Sequence, residues 1–253
     1  MSSSDSIERF SNRVENYVKY RPTYPVEALG VFLRDMGFTL ESVIADVGSG
    51  TGLSTKLFLE NGNTVYGVEP NASMREAAEE FLRDFPNFHS IDGRSTATTL
   101  SDSSIDIVTA AQAFHWFDPE PTRVEFKRIL KPGGRVALIW NERQLDTTPF
   151  LIEYEQLLLK YANDYTKVRH DNINETALAE FFRADFRTAT FPNEQVLDFG
   201  GIKGRVTSSS YMPAESDERY PAMVGELKTL FDKHAESDRI SLLYNTNVFY
   251  TQY

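Results

Sequence analysis

The chain of 253 residues is long enough for one sheet-based domain with insertions, and 41% hydrophobic with 25% charged residues describes an ordinary globular protein. It carries 37 acids against 26 bases, a net charge of −11, and the bases are scattered, which disfavours tRNA or DNA as a partner. Cysteine is absent, which excludes disulfides, thiolate metal sites and cysteine nucleophiles.

From about Val43 to Trp140, short apolar runs alternate with helical patterns. Val43–Val47, Thr64–Val68, Phe88–Ile91, Ile105–Ala110 and Arg135–Trp140 read as strands. They are short, β-branched and nearly continuous in hydrophobicity, as strands covered on both faces must be. Leu53–Glu60, Ala72–Arg83 and Pro121–Leu130 read as helices, the last stopped by a turn at Lys131-Pro132-Gly133-Gly134. This α/β alternation specifies a parallel sheet with right-handed crossovers. Farther on, Phe150–Tyr161 and Glu175–Phe182 read as helices, Phe186–Phe191 as a strand, and Gly200–Glu236 as two or more helices. Tyr244, Thr246, Val248 and Tyr250 alternate within Ile240–Tyr250, which predicts a final strand. No repeat or low-complexity linker divides the chain, so a single domain over 1–253 is expected. No apolar run approaches the roughly 18 residues of a membrane span. Met1-Ser2-Ser3-Ser4-Asp5 lacks the pattern of a secretory signal, so a cytoplasmic protein with no membrane partner is expected.

The densest signal is Val43-Ile44-Ala45-Asp46-Val47 running into Gly48-Ser49-Gly50-Thr51-Gly52, with Glu69 closing the next apolar run. A buried strand entering three alternate glycines, with an acid about one βα unit later, builds a nucleoside pocket on a parallel sheet. A dinucleotide site would place its third glycine at Leu53, whereas here it is Gly52. Gly48 and Gly50 are expected to let the backbone touch a ligand, and Gly52 to let the following helix pack on the sheet. The plainer alternative is a structural glycine turn. Glu69, at the tip of the second strand, suits both hydroxyls of a ribose; taken alone it reads equally as a solvated loop acid. Met74 is a candidate for the adenine face or for ordinary core. His89, His115, His170 and His234 lie far apart, so no metal site is expected.

The stretch from Asp46 to Gly52 resembles motif I of the class I S-adenosylmethionine-dependent methyltransferases, and with the later motifs the resemblance covers Phe10 to about Trp140. It implies a Rossmann-like, doubly wound, mostly parallel seven-stranded sheet with an antiparallel last strand and a helical insertion. The implied cofactor is S-adenosylmethionine, leaving as S-adenosylhomocysteine. Asp46 would support the loop and its contact with the methionine amino group, with Ser49 in the same loop and Pro70 beside Glu69. Asp92, in Asp92-Gly93, would accept the adenine amine, unless it is only an Asp-Gly turn. Ser104-Ile105-Asp106-Ile107-Val108 and the trailing Ala110–Phe117 look like motif IV, whose loop faces the transferable methyl group in this fold. That makes Ala111 and Gln112 cofactor contacts and His115 the catalytic candidate, as a base or as an orienter of an acceptor oxygen. In the plainer reading His115 and Trp116 only wall the pocket. Tyr17, Tyr20, Arg21-Pro22 and Tyr24-Pro25 are similar to family stretches that form a helix and turn over the cofactor. Arg21 would then pair with the methionine carboxylate and Tyr17 would cover the sulfonium; an arm merely packed on the sheet is the alternative. Within the domain, 1–30 is expected to cap the cofactor, 40–141 to bind it, 142–239 to form the substrate side and 240–253 the final strand.

No Asn/Asp-Pro-Pro-Tyr/Phe motif follows the fourth strand, which argues against methylation of nucleobase or glutamine nitrogens. Ala111-x-x-Phe114-His115-Trp116-Phe117 and Ser210-Tyr211-Met212-Pro213 resemble small-molecule methyltransferases of the trans-aconitate type. Methyl transfer to a small acceptor, a carboxylate by this resemblance, is therefore expected, with Arg143 and Arg169 as candidate cations for it. Two rival readings stand beside it. A nicotinamide-dependent oxidoreductase is weakened by the glycine spacing and by the lack of a Tyr-x-x-x-Lys pair. A non-catalytic protein that binds S-adenosylmethionine would carry the same loops.

Overall fold

The alternation of apolar and helical segments folds as one sheet flanked by helices in the computed structural model, which describes residues 20–163, 175–209 and 211–252. A short 3₁₀ turn, Val26–Ala28, leads into α1 (Leu29–Asp35). Then come β1 (Val43–Val47), α2 (Leu53–Glu60), β2 (Thr64–Val68), α3 (Ala72–Phe81), β3 (Phe88–Ile91), β4 (Ile105–Ala111) and α4 (Pro119–Ile129). The second half contributes β5 (Leu130–Arg143), α5 (Pro149–Tyr161), α6 (Glu175–Phe182), β6 (Arg187–Leu197), α7 (Phe199–Thr207), α8 (Tyr220–His234) and β7 (Ile240–Gln252).

The seven strands are ordered β3-β2-β1-β4-β5-β7-β6. Pairings from β3 through β5 are parallel, and β7 is antiparallel to both of its neighbours. Alternate residues of each strand serve opposite faces. Ile44, Ile107 and Val248 pack with α1 and α2, whereas Ala45, Val47 and Val108 pack with α4 and α6. A third apolar cluster joins α5, α7 and α8 to the first half of β7 through Tyr154, Ile202, Leu227 and Leu242. Among the described residues, no helix is long and apolar enough to cross a membrane.

Several boundaries move for local reasons. α4 starts at Pro119, because proline fits a first helical turn whose N–H groups lack partners anyway. α5 is likewise opened by Pro149, with Thr148 accepting a hydrogen bond from the Leu151 N–H at 3.2 Å. The expected turn at Lys131-Pro132-Gly133-Gly134 is not a break between elements. Ile105 pairs with Leu130 but Ile107 with Arg135, so these residues loop out as a bulge within β5. β6 continues past Phe191 to Leu197 and contains Pro192, which an edge strand tolerates.

Candidate active site

The sheet reverses its winding at β1, whose neighbours are β2 and β4, and ligands enter sheets of this topology at that point. A cleft with about 800 Å³ of unfilled space, part of it open solvent, lies there. The loops after β1, β2 and β4 line it, bringing Gly48, Ser49, Gly50, Glu69, Pro70, Met74, Ala111 and Gln112 together.

Gly48 and Gly50 both have left-handed backbone, at φ +72° and +55°. A Cβ on Gly50 would meet only Met74 Sδ, at 3.6 Å, so this backbone lies open to the cleft. Gly48 departs from expectation: its Cβ would sit 2.5 Å from the Ala113 Cβ, so what comes close is the loop after β4. At Gly52 a Cβ would fall 2.6 Å from Leu82 Cδ1, so the close packing there involves the end of α3 instead of α2.

Glu69 is 9% exposed. Its Oε2 accepts from the Gly50 N–H at 3.1 Å and its Oε1 from the Asn71 N–H at 2.9 Å. One carboxylate thus fixes both loops, and each oxygen retains a lone pair for a further donor. Burial raises the Glu69 pKa above its ordinary value, with the two amides and Arg75 opposing and Asp46 adding to the rise. Asn71 caps α3, its Oδ1 accepting from the Met74 N–H at 3.2 Å, which seats Met74 at the cleft.

Asp46 does not line the cleft. It is fully buried, with Ser54 Oγ and Thr55 Oγ1 donating to it at 2.7 Å and Thr109 Oγ1 at 3.1 Å. It ties β1 to the first turn of α2 and to β4; burial raises its pKa against those three hydrogen bonds. Asp92 and Gly93 also stand outside the cleft lining. The Asp92 carboxylate is mostly exposed and pairs with Arg75 at 3.1 Å, while Gly93 is pressed against the Thr98 carbonyl oxygen. Arg21 is likewise not among the lining residues; its Nη2 donates to the Ser208 carbonyl oxygen at 3.3 Å. Tyr17 and Arg169 lie outside the described residues.

Gln112 adopts φ 54°, an uncommon backbone for a side-chain-bearing residue and a mark of a constrained site. Its N–H donates to the Ile139 carbonyl at 2.9 Å and its Nε2 to the Asn141 carbonyl at 2.8 Å. Within the cleft wall the buried Gln112 Oε1 and Thr51 Oγ1 have no hydrogen-bond partner among the described residues. His115 lies tilted against Trp116 and edge-on to Trp140, with ring centroids 4.6 and 5.1 Å away. It is exposed and does not line the cleft, whereas Trp116 does. Desolvation by the surrounding protein lowers its pKa to about 4, and its open position limits that depression; either way the ring is neutral at pH 7.

Tyr24, from the N-terminal stretch expected over the cofactor, also lines the cleft, and Thr51, Leu53, Ser54, Asn71, Ala113 and Phe117 complete the lining without having been singled out individually in the sequence. Asn71 had a readable signal, an N-cap residue between Glu69-Pro70 and a helical run. Ala113 and Phe117 reach the site only through the fold of the loop after β4.

An open glycine loop, a buried acid with spare acceptor capacity and a thioether platform suit an adenosyl group. The model of the methyltransferase-domain family matches residues 45–138. An uncharacterized methyltransferase-like protein of Schizosaccharomyces pombe is 27% identical, over 98% of this chain and 97% of its own length. An uncharacterized methyltransferase of Geobacillus is 36% identical, over 62% of this chain and 74% of its own. The fold is shared with phosphoethanolamine N-methyltransferase 2 of Haemonchus contortus, solved in complex with phosphomonomethylethanolamine and S-adenosylhomocysteine. That likeness has a TM-score of 0.60 and 16% identity, over 99% of this chain and 59% of that one. Glycine loop, switch-point cleft and relatives agree: the chain belongs to the class I S-adenosylmethionine-dependent methyltransferases, with S-adenosylmethionine as its cofactor.

Proposed function

We propose that the protein methylates a small carboxylic acid in the cytoplasm, acting on neither nucleic acid nor membrane. The observation that supports the acceptor class is that no histidine or lysine is among the residues lining the described cleft, His115 standing outside that lining. The lining thus offers neither of the usual nitrogen bases for deprotonating an alcohol or an ammonium group. A carboxylate is already ionised at neutral pH and requires no base. The cofactor supplies a methyl carbon bonded to a sulfonium; an acceptor lone pair forms the new bond while the C–S pair passes to sulfur.

The chain's own residues then bind and align. Glu69 receives the ribose hydroxyls, Gly48, Ser49 and Gly50 hold the methionine portion, Met74 and Pro70 flank the adenine, and Ala111 and Gln112 face the sulfur end. Tyr17 and Arg21 close over it, and Asp92-Gly93 borders the adenine. His115, neutral at pH 7, orients the acceptor. Alignment of this kind contributes on the order of 7–11 kcal/mol in well-oriented systems. The chain acts as one domain, with 1–30 as cap, 40–141 as cofactor core, 142–239 as acceptor side and 240–253 as closing strand.

The test is turnover. The protein, a methyl-labelled donor and fractionated small-molecule extract should give a labelled product whose label is released by mild base, as a methyl ester's would be. A base-stable product would overturn the carboxylate assignment, and labelled nucleic acid would overturn the small-molecule one.

The state of Glu69 gives a second expected result. Ribose hydroxyls donate to the ionised carboxylate, so binding lowers a pKa that burial has raised in the free protein. Affinity for S-adenosylhomocysteine should therefore be independent of pH above the raised Glu69 pKa and fall as pH drops through it. Calorimetry in buffers of differing ionisation heat should show proton release on binding in that window, and the Glu69→Gln variant should lose the slope.

A further inference from the structure

Residues 20–25 form a stiff segment for reasons written in the sequence. Arg21-Pro22 and Tyr24-Pro25 place two prolines in it, and each proline fixes its own φ and confines the residue before it to extended backbone. Pro25 is itself extended, at φ −66° and ψ 137°. Holding one atom of such a segment therefore holds its neighbours. That atom is the Thr23 carbonyl oxygen, which accepts from Asn141 Nδ2 at 3.1 Å and from Asn193 Nδ2 at 2.8 Å. A carbonyl oxygen has two lone pairs, and both are engaged here. The next side chain along, Tyr24, lines the cofactor cleft.

The two asparagines are themselves fixed. Asn141 is buried on β5, and Asn193 stands on the edge strand β6. Thr246, on the intervening β7, donates to Asn141 Oδ1, and Asn193 Nδ2 also reaches that oxygen at 3.3 Å. The Asn141 carbonyl accepts from Gln112 Nε2 at 2.8 Å, so one residue holds Thr23 by its side chain and a cleft-lining amide by its backbone. Farther up the segment, Gln195 Nε2 donates to the Tyr20 carbonyl at 2.9 Å. Gly204 of α7 lies beneath the Tyr20 ring: a Cβ there would fall 2.2 Å from Tyr20 Cε2, so the glycine serves the seating of that ring. Asn141, Asn193 and Gly204 all lie outside the cleft lining.

Resting on the proposed role of residues 1–30 as a cap over the cofactor, we infer that Asn141 and Asn193 are positioning residues for the cofactor cleft. By clamping the Thr23 carbonyl they set Tyr24 at the cleft, and Asn141 sets the Gln112 amide in another part of the same wall. Neither asparagine touches the cofactor; each acts through a lining residue. A clamp that holds one wall in place restrains departure of what lies behind it, so its main effect is on the release of the bound adenosyl compound.

The experiment uses the full chain and S-adenosylhomocysteine, with affinity read by calorimetry and release by stopped-flow dilution. The chain's two tryptophans are Trp116, in the cleft lining, and Trp140, next to Asn141, so intrinsic fluorescence follows the release. Asn193→Ala removes one of the two hydrogen bonds to Thr23 and should weaken binding about fivefold, mostly through faster release. Gly204→Ala should give a loss of similar size, because the Tyr20 ring must move although alanine suits the helix itself. Tyr24→Ala should cost about tenfold. Adding Asn193→Ala to it should cost nothing more, since the asparagine acts through the tyrosine. Asn141→Asp keeps the shape, loses the donor and should match Asn193→Ala; if it does not fold, the Asn193 and Gly204 variants decide. A merely structural role would lower the ligand-free melting temperature and leave the release rate alone. Unaltered release in Asn193→Ala, Gly204→Ala or Tyr24→Ala, or losses that add in the double variant, would each overturn the inference. Failure of the unaltered chain to bind S-adenosylhomocysteine would instead strike the cofactor site itself.

Discussion

Glu69→Ala is expected to weaken S-adenosylhomocysteine binding on the order of 100-fold, the largest single loss foreseen for this site. Two charge-assisted hydrogen bonds to ribose hydroxyls contribute about 1.5 kcal/mol each, and about 3 kcal/mol is roughly two decades in Kd. The alanine also releases the Gly50 and Asn71 N–H groups, so the loops after β1 and β2 lose their shared anchor. Glu69→Gln separates the two contributions. It keeps one acceptor oxygen but turns an N–H₂ toward a backbone donor, and should cost about tenfold by the loss of one such bond. Calorimetric titration reads both variants. Wild-type affinity in the alanine variant would refute the ribose role.

Gly48→Ala should lower stability by about 2–5 kcal/mol. Holding a non-glycine residue at φ +72° costs about 1–2 kcal/mol, and forcing a Cβ to 2.5 Å from the Ala113 Cβ adds an overpacking cost of about 1–3 kcal/mol. Because only the second part depends on Ala113, the double variant Gly48→Ala with Ala113→Gly should recover about 1–3 kcal/mol of the loss, a coupling visible in a double-mutant cycle by urea unfolding. Simple additivity of the two changes would show that the loops after β1 and β4 do not constrain each other.

The parallel half of the sheet was legible because its strands are buried on both faces and written as unbroken apolar runs; β1, β2, β3 and α2 occupy the ranges read from the sequence. The second half was less legible for a physical reason. β6 is an edge strand whose residues alternate between half-buried and exposed, so its polar stretch from Pro192 to Leu197 carries no apolar run to read. The bulge at Lys131–Gly134 has the composition of a turn and becomes part of a strand only because β4 pairs on both sides of it. In the site, local grammar announced Glu69 and the glycine loop. It did not reveal that Gly48 answers to Ala113, or that Arg143 is matched by Glu155, since these are contacts between distant segments.

The position of β7 has a consequence for how the molecule is made. On the ribosome, β1 to β5 emerge before it and can pair among themselves, but the outer edge of β5 stays open until β7 arrives. β6 is translated earlier than β7 yet pairs only with it, so it must wait outside the sheet. The nascent protein therefore passes through a stage with one bare sheet edge and one unplaced strand, the features that invite pairing between chains. A lesion confined to β7 would release two strands, and its symptom would be aggregation of newly made chains more than loss of activity in those already folded.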